Sequence, residues 1–254
     1  MPQNKAWLFP AAIGFLSVVL FGCASVPKQV FDPTANAAIK RIALLEIDEP
    51  DGFVLLNFGH PGMIFGAIGG AIAGTDMESK RKQLSDLLRA QEPKYGKALT
   101  DAIEQKLRAQ NYDVVRISPA REQRNALVTD YTKIHTDADA ILDVLIVMAG
   151  YLSQGIASDY EPLLRTSARM VSTKTQQVVY LEILAYGEKW KVSGQWVELP
   201  YVKRVSFSNF DNIIRSPKQA AEGVGDGIEP IASRITFDLK KRKPRESKKH
   251  GRLG

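Results

Sequence analysis

The densest set of metal-compatible side chains in the sequence is His135, Asp137, Asp139 and Asp143. An imidazole and two carboxylates at alternate positions would share one side of an extended segment, a donor set suited to a divalent ion. The same residues stand where a loop feeds a strand, and Asp turns or caps the chain at such places as a matter of routine. We therefore assign no metal ligand there. Asp159 and Glu161 have the types of a hydrolytic pair, but nothing in their spacing sets the separation that chemistry needs, and solvated surface acids account for them. Ser153, Ser158 and Ser167 lie outside any Gly-x-Ser-x-Gly turn. His60 precedes Pro61 in a turn, and His250 lies near the end of the chain. No catalytic residue and no cofactor site follow from these patterns, so the chain reads as non-enzymatic.

The remaining reactive group is Cys23, the single cysteine, which has no internal partner for a disulfide. Lys5 supplies a basic start, Trp7 to Leu20 an apolar run, and Leu20-Phe21-Gly22 leads directly into the thiol. This looks like a bacterial lipoprotein signal, in which residues 1–22 are removed and Cys23 becomes the acylated N-terminus. The alternative, a plain transmembrane anchor, is short of the ~20 apolar residues a span requires. Ala24 follows the cysteine where similar lipoproteins retained in the inner membrane carry Asp. The expected location is therefore the outer membrane, lipid-anchored and facing the periplasm. Each buried methylene of the acyl chains would contribute about 0.8 kcal/mol to that attachment.

Residues 23–254 number 232, enough for one domain with its own core and no disulfide or metal to hold it. Charge is uneven. Residues 240–254 hold eight Lys or Arg and one Glu, whereas residues 23–239 carry 25 basic and 27 acidic groups. The end of the chain therefore reads as a basic, disordered tail able to contact anionic lipid or cell-wall polymer. Nucleic acid is not an expected partner, because the export signal carries the chain away from it.

Residues 23–38, with Pro27 and Pro33, read as a tether, and 39–239 as an α/β domain. Within it, 57–76 is an insertion of different character: Gly62, Gly66, Gly70 and Gly74 recur at every fourth position among Met63, Ile64, Phe65, Ile68 and Ile72. Each Gly costs an isolated helix about 1 kcal/mol relative to Ala. The cost is offset where small residues let another helix or a membrane neighbour approach closely. The four are assigned to helix packing as a glycine zipper; a buried helix or a glycine-rich loop is the alternative. Gly66 to Ala71 matches only fragments of a nucleotide-binding pattern.

The elements that position these groups follow from periodicity. Arg41–Ile47 predicts a strand stopped by Asp48 to Gly52. Residues 75–90 and then 95–110 predict helices, the latter with Tyr95, Leu99, Ala102, Ile103 and Leu107 on one side. Val114 to Ile117 predicts a strand, and Ser118-Pro119 opens a helix expected to reach about residue 129 or 131. A strand over 140–152 and a hairpin of 164–171 with 178–186 follow. Gly194 is expected to turn a second small hairpin. Ser216 and Gln219 are expected to cap a last helix, 216–239, that Gly223, Gly225, Gly227 and Pro230 kink or split. Of the aromatic set Tyr180, Tyr186, Trp190, Trp196 and Tyr201, about half should fill the core, with Trp190 and Trp196 as a possible partner surface.

This order predicts a mixed sheet backed by helices. In Arg41-Ile42-Ala43-Leu44-Leu45, in the helix ending at Leu107 before Tyr112-Asp113-Val114-Val115, in Ala138 to Leu142, in Ser167 to Val171 and in the C-terminal helix, the chain resembles periplasmic lipoproteins. The resemblance is to those with a TolB-N-like or anticodon-binding-like domain, including the curli secretion lipoprotein family. It implies an α/β fold and carries no active site; the long amphipathic membrane strands of a curli-type pore are not evident. The function expected is a protein-binding or assembly module of the cell envelope, joining an envelope protein or further copies of itself. Two alternatives are an enzyme, or its activator, acting on cell-wall or surface polysaccharide, and a subunit of a secretion or transport assembly.

Overall fold

The structure is a computed structural model and describes residues 28–59, 66–118, 121, 123, 126–155, 157–188, 196–199, 201 and 205–240, with no side-chain account for 66–75. Cys23, Gly62, Trp190, His60, His250 and the basic tail beyond Lys240 lie outside the described residues.

Seven strands form one mixed sheet: β1 (Arg41–Leu45), β2 (Val54–Asn57), β3 (Asp113–Ile117), β4 (Ala140–Ser153), β5 (Tyr160–Ser172), β6 (Val178–Tyr186) and β7 (Val197–Leu199). The order is β3-β1-β4-β5-β6-β7, with β2 also paired to β4. The described α-helices are α1 (Gly66–Arg89), α2 (Tyr95–Ala109), α3 (Phe210–Arg215), α4 (Pro217–Gly225) and α5 (Ile228–Asp238). The expected mixed sheet backed by helices is the observed architecture.

The long strand β4 organises the sheet. Along one edge it takes β1 in parallel over 140–142 and then β2, again parallel, over 150–153. Residues 46–53 break this composite strand so that α2 can reach in. Ile47 N–H bonds to Thr100 Oγ1 at 3.1 Å, and a Cβ at Gly96 would collide with the Ile47 carbonyl. Gly150, at φ +150°, leaves no room for a side chain where Val54 crosses β4.

Alternation divides the sheet into two faces. Ile42, Leu44, Leu142, Val144, Ile146, Ala149, Tyr151, Leu164, Met170, Leu184 and Tyr186 pack with Leu99, Ile103 and Leu107 of α2 and with Val224, Ile231 and Ile235 of α4 and α5. Each large apolar side chain so buried contributes about 1.5–3 kcal/mol. Tyrosines fix the helices to this layer: the Tyr95 hydroxyl donates to Ala221 O at 2.7 Å, Tyr151 to Ala220 O at 2.9 Å and Tyr112 to Leu239 O at 2.7 Å. Burial raises all three phenols, Tyr112 to about 12. The second face has a smaller core of Ala43, Leu45, Tyr131, Ala138, Ile141 and Val171.

Three expectations are corrected. The segment after Ser118-Pro119 is not an α-helix in its described residues; it has only a single 3-10 turn, Tyr131–Lys133, because its side chains are drawn down onto the sheet. The hairpin expected at Gly194 lies outside the described residues; among those described, β7 runs parallel to β6, Leu184 opposite Val197. Ser216 makes no side-chain cap; the capping side chain is Asn209, which accepts from Asn212 N at 3.0 Å and starts α3. The glycine-rich run from Gly66 and the polar stretch after it form one continuous helix, α1, where a separate helix is expected to start at residue 75. The last helix does split at Gly225 to Gly227, as its glycines predict.

Candidate functional site

The second face of β4, β5 and β6 gathers the groups left over once the core is filled. At one end Asp143 is fully buried beneath the 118–139 segment. Its Oδ1 lies 2.8 Å from Arg121 Nη2, and its Oδ2 accepts from Val128 N at 2.8 Å and from the Tyr131 hydroxyl at 3.0 Å. Arg121, whose side chain is 4% exposed, also lies 3.0 Å from Asp48. Arg169 stands directly across from Asp143 on β5. Burial raises the Tyr131 phenol, and the neighbouring Asp143 charge adds to it. This arrangement stitches an irregular segment to the sheet. The Asp143 carboxylate is taken up by these protein contacts, which tie the loop to the sheet.

At the centre of the face, β4 bulges between Ile146 and Met148. Ile146 keeps to the helix side, so the extra residue, Val147, is pushed onto the second face, where it is 44% exposed. Leu145, Ser167 and Ile183 lie in one cross-strand row beside it, and Met148 stands opposite Arg165. Arg165 Nε is 3.0 Å from Glu188 Oε2, and its guanidinium lies 4.4 Å from the ring centre of Trp196. The rim therefore offers a stacked Arg–Trp pair beside an exposed aliphatic centre.

The other residues with chemical potential are dispersed. Asp139 Oδ2 accepts from the backbone N–H groups of Lys40 and Arg41, both at 2.8 Å, which holds its carboxyl below the ordinary range. Asp137 pairs with Arg41 at 2.7 Å, and His135 is exposed. Among the described residues no His, Cys, Asp and Glu cluster could hold a metal ion. Asp159 accepts from Ser206 Oγ, whereas the buried Glu161 faces Gln154, so the two carboxylates are held by different neighbours. Ser153 Oγ donates to the Ser158 carbonyl at 2.9 Å. A cavity of about 390 Å³ under residues 117–135 is lined by Ser118, Arg121, Thr129, Asp130, Lys133 and His135 among others. Gly66, Gly70 and Gly74 lie in α1, whose described residues include no span long and apolar enough to cross a membrane.

Sequence reasoning did not find Arg121, Tyr131, Arg165 or Val147. Trp196 was legible as an aromatic in an aromatic-rich stretch; its partner Arg165 comes from a strand 31 residues earlier and carries no local signal.

No protein-family model matches the chain, and neither does any curated protein. Among solved structures, the PelC dodecamer from Paraburkholderia phytofirmans is similar at 13% identity and a TM-score of 0.37, covering 86% of this chain and 95% of that one. A single-substitution variant of that dodecamer gives 12% identity and a TM-score of 0.32, with coverages of 85% and 96%. A likeness this distant assigns no function.

Proposed function

We propose that the chain is a lipid-anchored, non-enzymatic module of the cell envelope, attached to the outer membrane through Cys23 and facing the periplasm. Its β-sheet would bind another envelope protein or a further copy of itself. The observation that carries the reading is Val147, an aliphatic side chain held out by a bulge in the central strand and rimmed by Arg165 and Trp196. Trp and Arg beside apolar side chains are the residue types enriched where binding energy concentrates. The dispersal of the carboxylates and serines into structural bonds supports a binding role over catalysis. The lipoprotein-type leader ending at Cys23, and the resemblance to TolB-N-like lipoproteins, support the location. Gly62, Gly66, Gly70 and Gly74 would add a close-approach helix surface for assembly.

The test is photo-crosslinking in intact cells from a reactive residue placed at position 147. A discrete adduct is expected from position 147 and none from exposed Gln83 on α1; equal yields from both would refute a specific surface. Enzymatic readings would be favoured instead if purified protein altered cell-wall polymer unaided.

A further inference from the structure

The N-terminal segment is strapped to the side of β6 away from β5, before the stretch that pairs with β7. Gln29 and Leu181 exchange both backbone hydrogen bonds, at 2.9 and 2.8 Å. Lys28 Nζ lies 2.7 Å from Glu182, whose side chain is 7% exposed, and Phe31 enters the core at 4% exposure. Position 23 is five residues upstream of Lys28, within ~17 Å of this edge even at full extension.

The register that places Gln29 against Leu181 sets Val30 across from Tyr180. The Tyr180 hydroxyl lies 3.1 Å from Asp238 at the end of α5. The same edge thus carries Val30, 67% exposed, Phe237, 68% exposed, and Val178, 40% exposed, three of the five large apolar side chains that stand out among the described residues. Two of the acids nearby are paired with cations, Glu182 with Lys28 and Asp238 with Arg234 at 2.9 Å, while Asp32 accepts from the N–H groups of Thr34 and Ala35 and keeps its charge. Lys240 follows directly and opens the run of eight basic residues.

We infer that this edge, Val30, Val178 and Phe237 together with the base of the C-terminal tail, is a docking surface for an anionic phospholipid bilayer. The occupant is specified by charge and by attachment: three exposed apolar side chains where the chain enters the basic run 240–254, with its eight Lys or Arg and one Glu, next to the point from which the acyl chains would leave. Lipid attachment with a polybasic segment is a two-signal anchor, stronger than either alone. Docked in this way, the domain lies on the membrane through its β6 edge, and Val147 on the sheet face remains free for a partner. The inference rests on Cys23 being lipidated.

In the lipidated protein an introduced cysteine is the only free thiol. The experiment labels Val178→Cys, Phe237→Cys and Val147→Cys with an environment-sensitive dye, in vesicles of phosphatidylethanolamine and phosphatidylglycerol containing a spin-labelled lipid quencher. Blue shift and quenching are expected at 178 and 237, and neither at 147. High salt should weaken both. Mass measurement of the N-terminal peptide is made on the same sample. Lipid present at Cys23 with no quenching at 237 overturns the docking surface, as does equal quenching at 147. A blue shift that persists without vesicles points to a second copy on this edge, and equally overturns it. An N-terminal peptide without lipid instead removes the anchoring premise, and is distinguishable on that ground.

Discussion

Replacing Asp143 by Ala tests whether a buried ion pair holds the 118–139 segment to the sheet. The carboxylate has no exposure and three direct partners, Arg121, the Val128 N–H and the Tyr131 hydroxyl. Removing one member of a buried pair costs 3–5 kcal/mol, because the other is left charged and unmatched. Arg121 keeps Asp48, itself partly exposed, so the loss belongs at the low end, about 3 kcal/mol. Arg121→Met alone should cost a similar amount, since Asp143 then stays buried with only neutral donors at bonding distance. The double variant Asp143→Ala with Arg121→Met removes both charges together. It should fall well short of the sum, giving a coupling energy of about 2 kcal/mol or more. Urea unfolding followed by circular dichroism measures each corner of the cycle. At a slope of roughly 1–3 kcal/mol per molar, the single variants should lose about 1–3 M in midpoint. Additivity within ~0.5 kcal/mol, or a cost for Asp143→Ala below ~1 kcal/mol, would refute the reasoning.

Further outcomes follow from other contacts. The Tyr112 phenol is raised to about 12 by burial, so its contribution is complete below pH ~10 and is lost as pH rises toward 12. Unfolding curves at pH 9 to 12 should show Tyr112→Phe losing stability less steeply than the parent, by about 2 kcal/mol across that window; parallel curves would count against it. Gly150→Ala, at φ +150° against the Val54 backbone, should detach β2 and cost about 2 kcal/mol or more by thermal or urea unfolding. If Gly66 and Gly70 serve close helix approach, Gly66→Leu with Gly70→Leu should lower the mass measured in detergent while leaving circular dichroism unchanged; unaltered assembly would reject the zipper.

The fold was legible where local pattern and tertiary packing agree. Ile42 to Leu45, the i, i+4 series Tyr95, Leu99, Ile103 and Leu107, and the β-branched and aromatic arm 178–186 each became the element their period predicts. It was illegible where a distant group decides. Val54 to Asn57 is four residues long, and pairs with Gly150 to Ser153 almost a hundred positions away. Ser118-Pro119 reads as a helix start, yet Arg121 is claimed by the buried Asp143, and the described residues of the segment form no α-helix. For the same reason Asp143 could be grouped by spacing with His135 and Asp139, although it is a structural counter-ion. Val147 is one more apolar residue in an apolar run; only the bulge makes it a surface.

The central claim is that the sheet face around Val147 engages an envelope partner while Cys23 holds the protein at the membrane. Photo-crosslinking from position 147 in intact cells, with mass identification of the adduct, tests it most directly. The account predicts one discrete adduct, with an envelope protein or a second copy, lost on Trp196→Ala or Arg165→Ala in a variant that still folds. No adduct at 147 from correctly localised, lipidated protein would contradict it.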